Sequence, residues 1–352
     1  MLNWGTIGAG GIARVFCNGM RFSRTGQMAA IASRSKDRAD RLATAFSIPK
    51  QYSSYEALLV DDEIDAVYVC VIHPAHAEWV IKAAEAGKHV LVEKPMGMNC
   101  REAESMIDAA RANDVFLMEA FMYRCHPQTQ RLAAMVRDGA IGQVQMIRTV
   151  FSYSAGYDPA SRAYANELGG GGILDVGCYT ASMTRLIAGA ASGLPFLDPV
   201  QVKGCAMVGP TGVDHYAAAT LQFENDIVAE VITGVGCRVP SEVSVYGTDG
   251  MLSVPNPWLP SSPCRSAREP LPLDTIFPPT SINLWHAGAS DPEEIVIEVD
   301  RDLFTYEADT VAENIAHRQS PTMSWQDTLG NMRLLDQWRR EGDIVYESER
   351  SQ

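Results

Sequence analysis

The rhythm of apolar and polar positions changes near residue 122. Before it, short unbroken apolar runs at 2–7, 28–32, 66–71, 89–92 and 115–118 read as strands, separated by segments 11–20, 36–46, 75–86 and 101–112 with helical spacing. Strands apolar on both faces that alternate with amphipathic helices predict a doubly wound parallel sheet covered on each side, an α/β arrangement. Beyond 122 a helical pattern at 127–138 leads into period-two runs at 144–153, 200–208, 215–223, 227–235 and 242–246. These predict an α+β C-terminal domain with a large, mostly antiparallel open sheet. Between the first two runs, 168–188 opens on four glycines and becomes helical. The Pro- and Ser-rich stretch 255–290 predicts a long surface loop, and helical patterns at 305–317 and 325–340 close the chain. The expected division is 1–122 and 123–352, with the closing helices able to pack back on the first domain.

Length and charge sharpen this picture. At 352 residues the chain fits two domains that share a cleft. Its 29 basic and 43 acidic side chains give a net charge of -14, which repels phosphate backbones and argues against nucleic acid as a partner. The 8 cysteines stand singly, without a C-x-x-C pair and mostly within apolar runs. That usage predicts reduced, buried thiols in a cytoplasmic protein rather than a disulfide frame or zinc site. No basic leader precedes the first strand and no apolar run has membrane-spanning length, so neither export nor a membrane partner is expected.

The chemistry starts at Gly8-Ala9-Gly10-Gly11-Ile12-Ala13, which follows the first strand and opens a helix. Gly8 allows a tight turn, Gly10 lets a pyrophosphate approach the backbone, and the helix start offers unpaired N–H groups to it. About twenty residues on, where an NAD enzyme carries an acid for the ribose hydroxyls, stand Ser33 and Arg34, with Arg38 one turn later. Guanidinium groups there suit a 2′-phosphate, so NADP is favoured over NAD, against the plainer reading of a solvated basic turn. Lys94 follows the fourth strand, at the carboxyl edge where open parallel sheets bind ligands; by composition alone it reads as a surface charge.

The run Ala86-Gly87-Lys88-His89-Val90-Leu91-Val92-Glu93-Lys94-Pro95, taken with the glycine turn, resembles the Gfo/Idh/MocA oxidoreductases. So do Met118-Glu119-Ala120-Phe121-Met122-Tyr123-Arg124, Gly169-Gly170-Gly171-Gly172-Ile173-Leu174-Asp175-Val176-Gly177-Cys178-Tyr179, and Met323-Ser324-Trp325-Gln326-Asp327-Thr328-Leu329-Gly330. The likeness extends over essentially the whole chain and is greatest to the dihydrodiol dehydrogenase and D-xylose dehydrogenase branch. It implies a Rossmann domain, then a substrate domain whose sheet often pairs between subunits, as a homodimer or homotetramer. It also implies Lys94 beside the nicotinamide, a cis peptide before Pro95, and a sugar, cyclic polyol or dihydrodiol as substrate.

Many relatives carry Asp-x-x-x-His after the glycine run, whereas this chain has Asp175 and Tyr179. Their i, i+4 spacing places both on one helix face. The expected catalytic group is Lys94, Tyr179 and Asp175: an ammonium beside the phenol lowers its pKa, Tyr179 takes the hydroxyl proton, Lys94 stabilises the oxyanion and Asp175 orients the sugar. Each also has an ordinary reading, as core tyrosine or helix-start acid. Val71, His73, His76, Glu93 and Arg124 are expected around the cofactor, although His76 also reads as a helix-entry cap; Arg124, His126, Tyr157 and Arg162 are expected on the substrate. His73 and His76 lack a third ligand for a metal. Two alternatives stand: a redox-neutral, NAD-dependent glycoside hydrolase, and a non-catalytic nucleotide sensor, against which the intact Lys94, Asp175 and Tyr179 argue.

Overall fold

The computed structural model describes residues 1–350. Its first layer is built from β1 (Leu2–Ile7), α1 (Gly11–Met20), β2 (Gly26–Ala32), α2 (Lys36–Phe46), β3 (Lys50–Tyr52) and α3 (Tyr55–Leu59). It continues through β4 (Ala66–Val69), α4 (His76–Glu85), β5 (His89–Glu93), α5 (Cys100–Ala112) and β6 (Leu117–Ala120). The six strands are parallel, in the order β3-β2-β1-β4-β5-β6. Every residue of β4 is buried, as a central strand covered on both faces requires. Sequence periodicity passes over β3 and α3, because a three-residue edge strand and a single helical turn are too short to show a period.

A short turn, α6 (Met122–Cys125), and α7 (Pro127–Arg137) cross to the second layer. Its sheet contains β7 (Val144–Ser152), β8 (Gln201–Val208), β9 (Asp214–Gln222), β10 (Val228–Gly234), β11 (Glu242–Gly247) and β12 (Gly250–Ser253). The order is β14-β13-β12-β11-β7-β10-β9-β8, completed by β13 (Thr280–His286) and β14 (Glu293–Ile297), with β10 and β7 parallel and the other pairs antiparallel. One face packs on α8 (Cys178–Ala191), which follows a π-helical turn at Ile173–Gly177.

Two expectations change here. The stretch 255–290 is not one loop, since it contains β13 and a helical turn, α9 (Pro263–Ser266). Its first part, residues 255–279, is a strap that leaves the second sheet and docks on α1. Asn18 Nδ2 donates to the Glu269 carbonyl at 3.2 Å and its Oδ1 accepts from Leu271 N at 2.8 Å, while Arg21 Nε donates to the Leu271 carbonyl at 3.0 Å. The cysteines are all free, and five are buried, but Cys205 is exposed.

The closing helices α10 (Leu303–Asn314) and α11 (Trp325–Glu341) return to the first layer and lie on α1 and α5; α12 (Glu347–Arg350) follows. Asp302 and Ser324 start α10 and α11 by accepting from Phe304 N and Asp327 N. Beneath α11, the fully buried Arg185 and the nearly buried Arg124 share Asp327, at 2.5 and 2.6 Å. Such a network fixes how α6, α8 and α11 meet, because removing any member leaves an unpaired buried charge. Among the described residues no helix is long and apolar enough to cross a membrane.

Candidate active site

The carboxyl ends of β1, β2, β4 and β5 open into one cleft of about 1150 Å³, closed from the far side by β7, the π turn and the strap. At its outer end, Gly8 has φ +117, and a Cβ there would lie 2.8 Å from the Cys70 carbonyl, so only glycine makes this turn without strain. Gly10 and Gly11 face open space. α1 begins with no side-chain cap and no acid in its first turn, leaving its N–H groups for a ligand. That cradle fits a dinucleotide pyrophosphate. Beside it, Ser33 Oγ accepts from Ser35 N at 3.1 Å and tightens the turn from which Arg34 and Arg38 reach the cleft.

Lys94 stands at the inner end, directly after β5 and before a cis peptide to Pro95. Its Nζ donates to the Asp175 carbonyl at 2.7 Å and lies 3.3 Å from Asp175 Oδ1. The same carboxylate takes Arg162 Nη1 at 2.9 Å, Arg162 Nη2 at 3.3 Å and the Tyr153 hydroxyl at 2.5 Å. Burial alone raises the Asp175 pKa, but the Lys94 and Arg162 charges overcome it and hold the carboxyl well below its usual range. Burial and the Asp175 charge push the Tyr153 phenol upward, so it remains a donor.

Tyr179 differs from the sequence expectation. Lys94 Nζ lies over its ring, 5.1 Å from the centroid, rather than beside its oxygen, and the hydroxyl donates to Met122 Sδ at 3.4 Å. Phe121, Phe151, Tyr123 and Trp258 surround the ring with centroids 5.2–5.9 Å away. Burial, then the nearby Glu93, raise the phenol well above its ordinary value, against a smaller pull from Arg265. Lys94 therefore does not make it a phenolate: an ammonium over a ring face meets the π cloud, and the cost of burying a charge dominates.

Of the expected residues, Gly8, Gly10, Gly11, Ile12, Ser33, Arg34, Arg38, Val71, His73, Glu93, Lys94, Arg162, Asp175 and Tyr179 line the cleft. His73 Nδ1 meets the Gly169 carbonyl at 3.1 Å, tying the loop after β4 to the glycine run, and burial lowers its pKa to about 3. The remaining five do not line it. Ala13 is buried where α1 packs on the sheet. His76 neither caps α4 nor meets the cleft; its ring is buried between the Val71 and Pro95 carbonyls at 3.2 and 3.0 Å. Arg124 is committed to Asp327 and to the Ser182 hydroxyl, His126 is buried and accepts from Gln128 N as the cap of α7, and Tyr157 is 52% exposed against Tyr164 and His215. Tyr153, Leu259 and Arg265 line the cleft unanticipated. Tyr153 ends a predicted strand and carried a readable signal, whereas strap residues carried none.

Comparison with known proteins agrees with this fold. Residues 2–121 match the oxidoreductase family with an NAD-binding Rossmann fold, and residues 129–253 match the GFO/IDH/MocA C-terminal domain. The chain is 32% identical to the trans-1,2-dihydrobenzene-1,2-diol dehydrogenase of Danio rerio over 98% of each chain. It is 31% identical to an NADP(+) D-xylose 1-dehydrogenase of Haloferax volcanii, over 92% of this chain and 89% of the relative. Among solved structures it resembles a 3-ketoreductase from Actinomadura kijaniata in complex with NADP and TDP-benzene. That match has a TM-score of 0.83 and 26% identity, over 97% of this chain and 98% of the other.

Proposed function

The chain belongs to the Gfo/Idh/MocA family of NAD(P)-binding oxidoreductases, and from that premise we propose that it interconverts a hydroxyl and a carbonyl on a sugar, cyclic polyol or dihydrodiol, with NADP preferred. The carrying observation is one cleft with a glycine cradle and Arg34 and Arg38 at one end, and Lys94, Asp175 and Tyr179 at the other. Bound nicotinamide supplies or accepts the hydride. Lys94 donates to the reacting oxygen and offsets its developing charge, while Asp175, fixed by Arg162 and Tyr153, positions Lys94. Tyr179, kept protonated by burial, gives its proton to that oxygen during reduction. The aromatic wall of Phe151 and Tyr179 suits the apolar face of a ring, and Arg162 and Tyr153 suit its hydroxyls.

The same reading makes the open face of the second sheet the pairing surface of a homodimer or tetramer, since Met146, Tyr216 and Met207 are 46%, 43% and 36% exposed there. Nothing in the comparisons supports redox-neutral glycoside cleavage or a silent sensor. The test is a panel of aldoses, polyols, a dihydrodiol and aryl glycosides, with each nicotinamide cofactor. Reduced nicotinamide should form or be consumed with a free sugar or diol, and Lys94→Ala and Tyr179→Phe should each lower kcat by about 10²- to 10⁴-fold. Unimpaired turnover in both variants, or aryl-glycoside cleavage without net change in reduced cofactor, would overturn the proposal.

A further inference from the structure

The cleft does not stop at the glycine turn. Beyond it lies a second cavity of about 440 Å³, between the start of α1, the flank of α2 and the strap. It shares Gly10, Gly11, Arg14 and Arg38 with the main cleft and adds Arg41 from α2 and Arg268 from the strap. Glu269 is the one acid that lines it. Among the described residues, none of these four arginines forms an ion pair with a carboxylate. The Nη1 of Arg14 is moreover buried with no hydrogen-bond partner.

Arg38, Arg41 and Arg268 are exposed, so water screens much of their mutual repulsion, whereas the buried, unpaired Nη1 of Arg14 carries its own desolvation cost. The chain has 43 acidic side chains to distribute and places one here. An arginine set of this kind matches a phosphomonoester dianion, whose oxygens accept bidentate pairs from several guanidiniums at once. Arg268 is held there by the chain around it. The neighbouring Glu269 carbonyl and both backbone groups of Leu271 are pinned to α1 through Asn18 and Arg21, so the backbone that carries Arg268 is fixed beside the glycine turn.

We propose that this cavity receives the 2′-phosphate end of NADP, and that Arg268 and Arg41, beyond the turn after β2, set the selectivity for NADP over NAD. The proposal rests on the NADP reading above. It adds that the discriminating charge comes partly from the second half of the chain, across the strap.

The experiment measures dissociation constants for NADPH, NADH, 2′,5′-ADP and 5′-AMP on the full chain by fluorescence and calorimetry, at fixed ionic strength, for wild type, Arg34→Ala, Arg41→Ala, Arg268→Ala and Arg268→Lys. Arg268→Ala and Arg41→Ala should each weaken NADPH and 2′,5′-ADP by roughly tenfold, the size of one lost charge-assisted contact. NADH and 5′-AMP should stay within about twofold, and Arg268→Lys should recover part of the loss. If wild type prefers NADPH and Arg34→Ala removes that preference while Arg268→Ala and Arg41→Ala keep it, the phosphate sits at the β2 turn alone and the proposal fails. If wild type shows no preference for the 2′-phosphate compounds, the NADP reading fails with it. Equal competition by inorganic phosphate against NADPH and NADH would make the cavity a general anion site and overturn the assignment.

Discussion

Asp175 is a single carboxylate set against two cations, Lys94 and Arg162, with a phenol on its second oxygen. Asparagine keeps its shape but not its charge. Arg162 is half exposed and can turn to water, so the loss concentrates on Lys94, whose side chain is 12% exposed. Asp175→Asn should therefore lower stability by about 3 kcal/mol in urea unfolding and reduce kcat. A variant with wild-type unfolding and turnover would show that Asp175 does not position Lys94. Tyr153→Phe deletes one hydrogen bond and keeps the ring, and should cost about 1 kcal/mol. Lys94, Asp175 and Tyr179 were legible because each stands inside a contiguous motif. Arg124 ends such a motif and His126 follows it, and both misled, because their partners, Asp327 and the start of α7, decide where they point.

The glycine run and the π turn make up the element that aims Asp175. Gly171 has φ +103, and a Cβ there would collide with the Asp214 carboxylate, which accepts from Ile173 N at 2.8 Å. Gly171→Ala should cost about 1–3 kcal/mol and lower kcat, with NADPH affinity unchanged because the cradle lies at the other end of the cleft. Matched loss of NADPH binding would show that the two ends are not independent. The long elements were readable: α1 and α2 have the limits their periodicity predicts. The π turn was not, since the spacing of Asp175 and Tyr179 also suits an ordinary helix. The strands β12, β13 and β14 were hidden too: β12 and β14 have four and five residues, and β13 begins at the end of a Pro-rich segment.

Across the whole molecule, buried ionisable groups pull stability in opposite directions with pH. Burial holds His73 at about 3 and His76 and His126 at about 4. Their contribution is full above the unfolded value near 6.5 and is lost as the pH falls toward those values. Burial raises Asp214 and Glu119 to about 7, so theirs is full below the unfolded carboxyl value and is lost as the pH rises through about 7. Asp214→Asn removes one such loss, so its stability relative to wild type should rise by about 1.4 kcal/mol per pH unit between pH 4 and 7. A difference independent of pH, measured by urea midpoints, would show that Asp214 titrates normally. The strap bears on a different matter, the order in which the chain is made. α1 is complete at residue 20, yet Gly19 packs against Phe304, and Asn18 is paired with residues 269 and 271. During synthesis one flank of that helix therefore stays bare until some 250 further residues have left the ribosome. A fragment ending at 122 would display the same bare flank permanently, and its nucleotide pocket would lack a wall that only the late-made half provides.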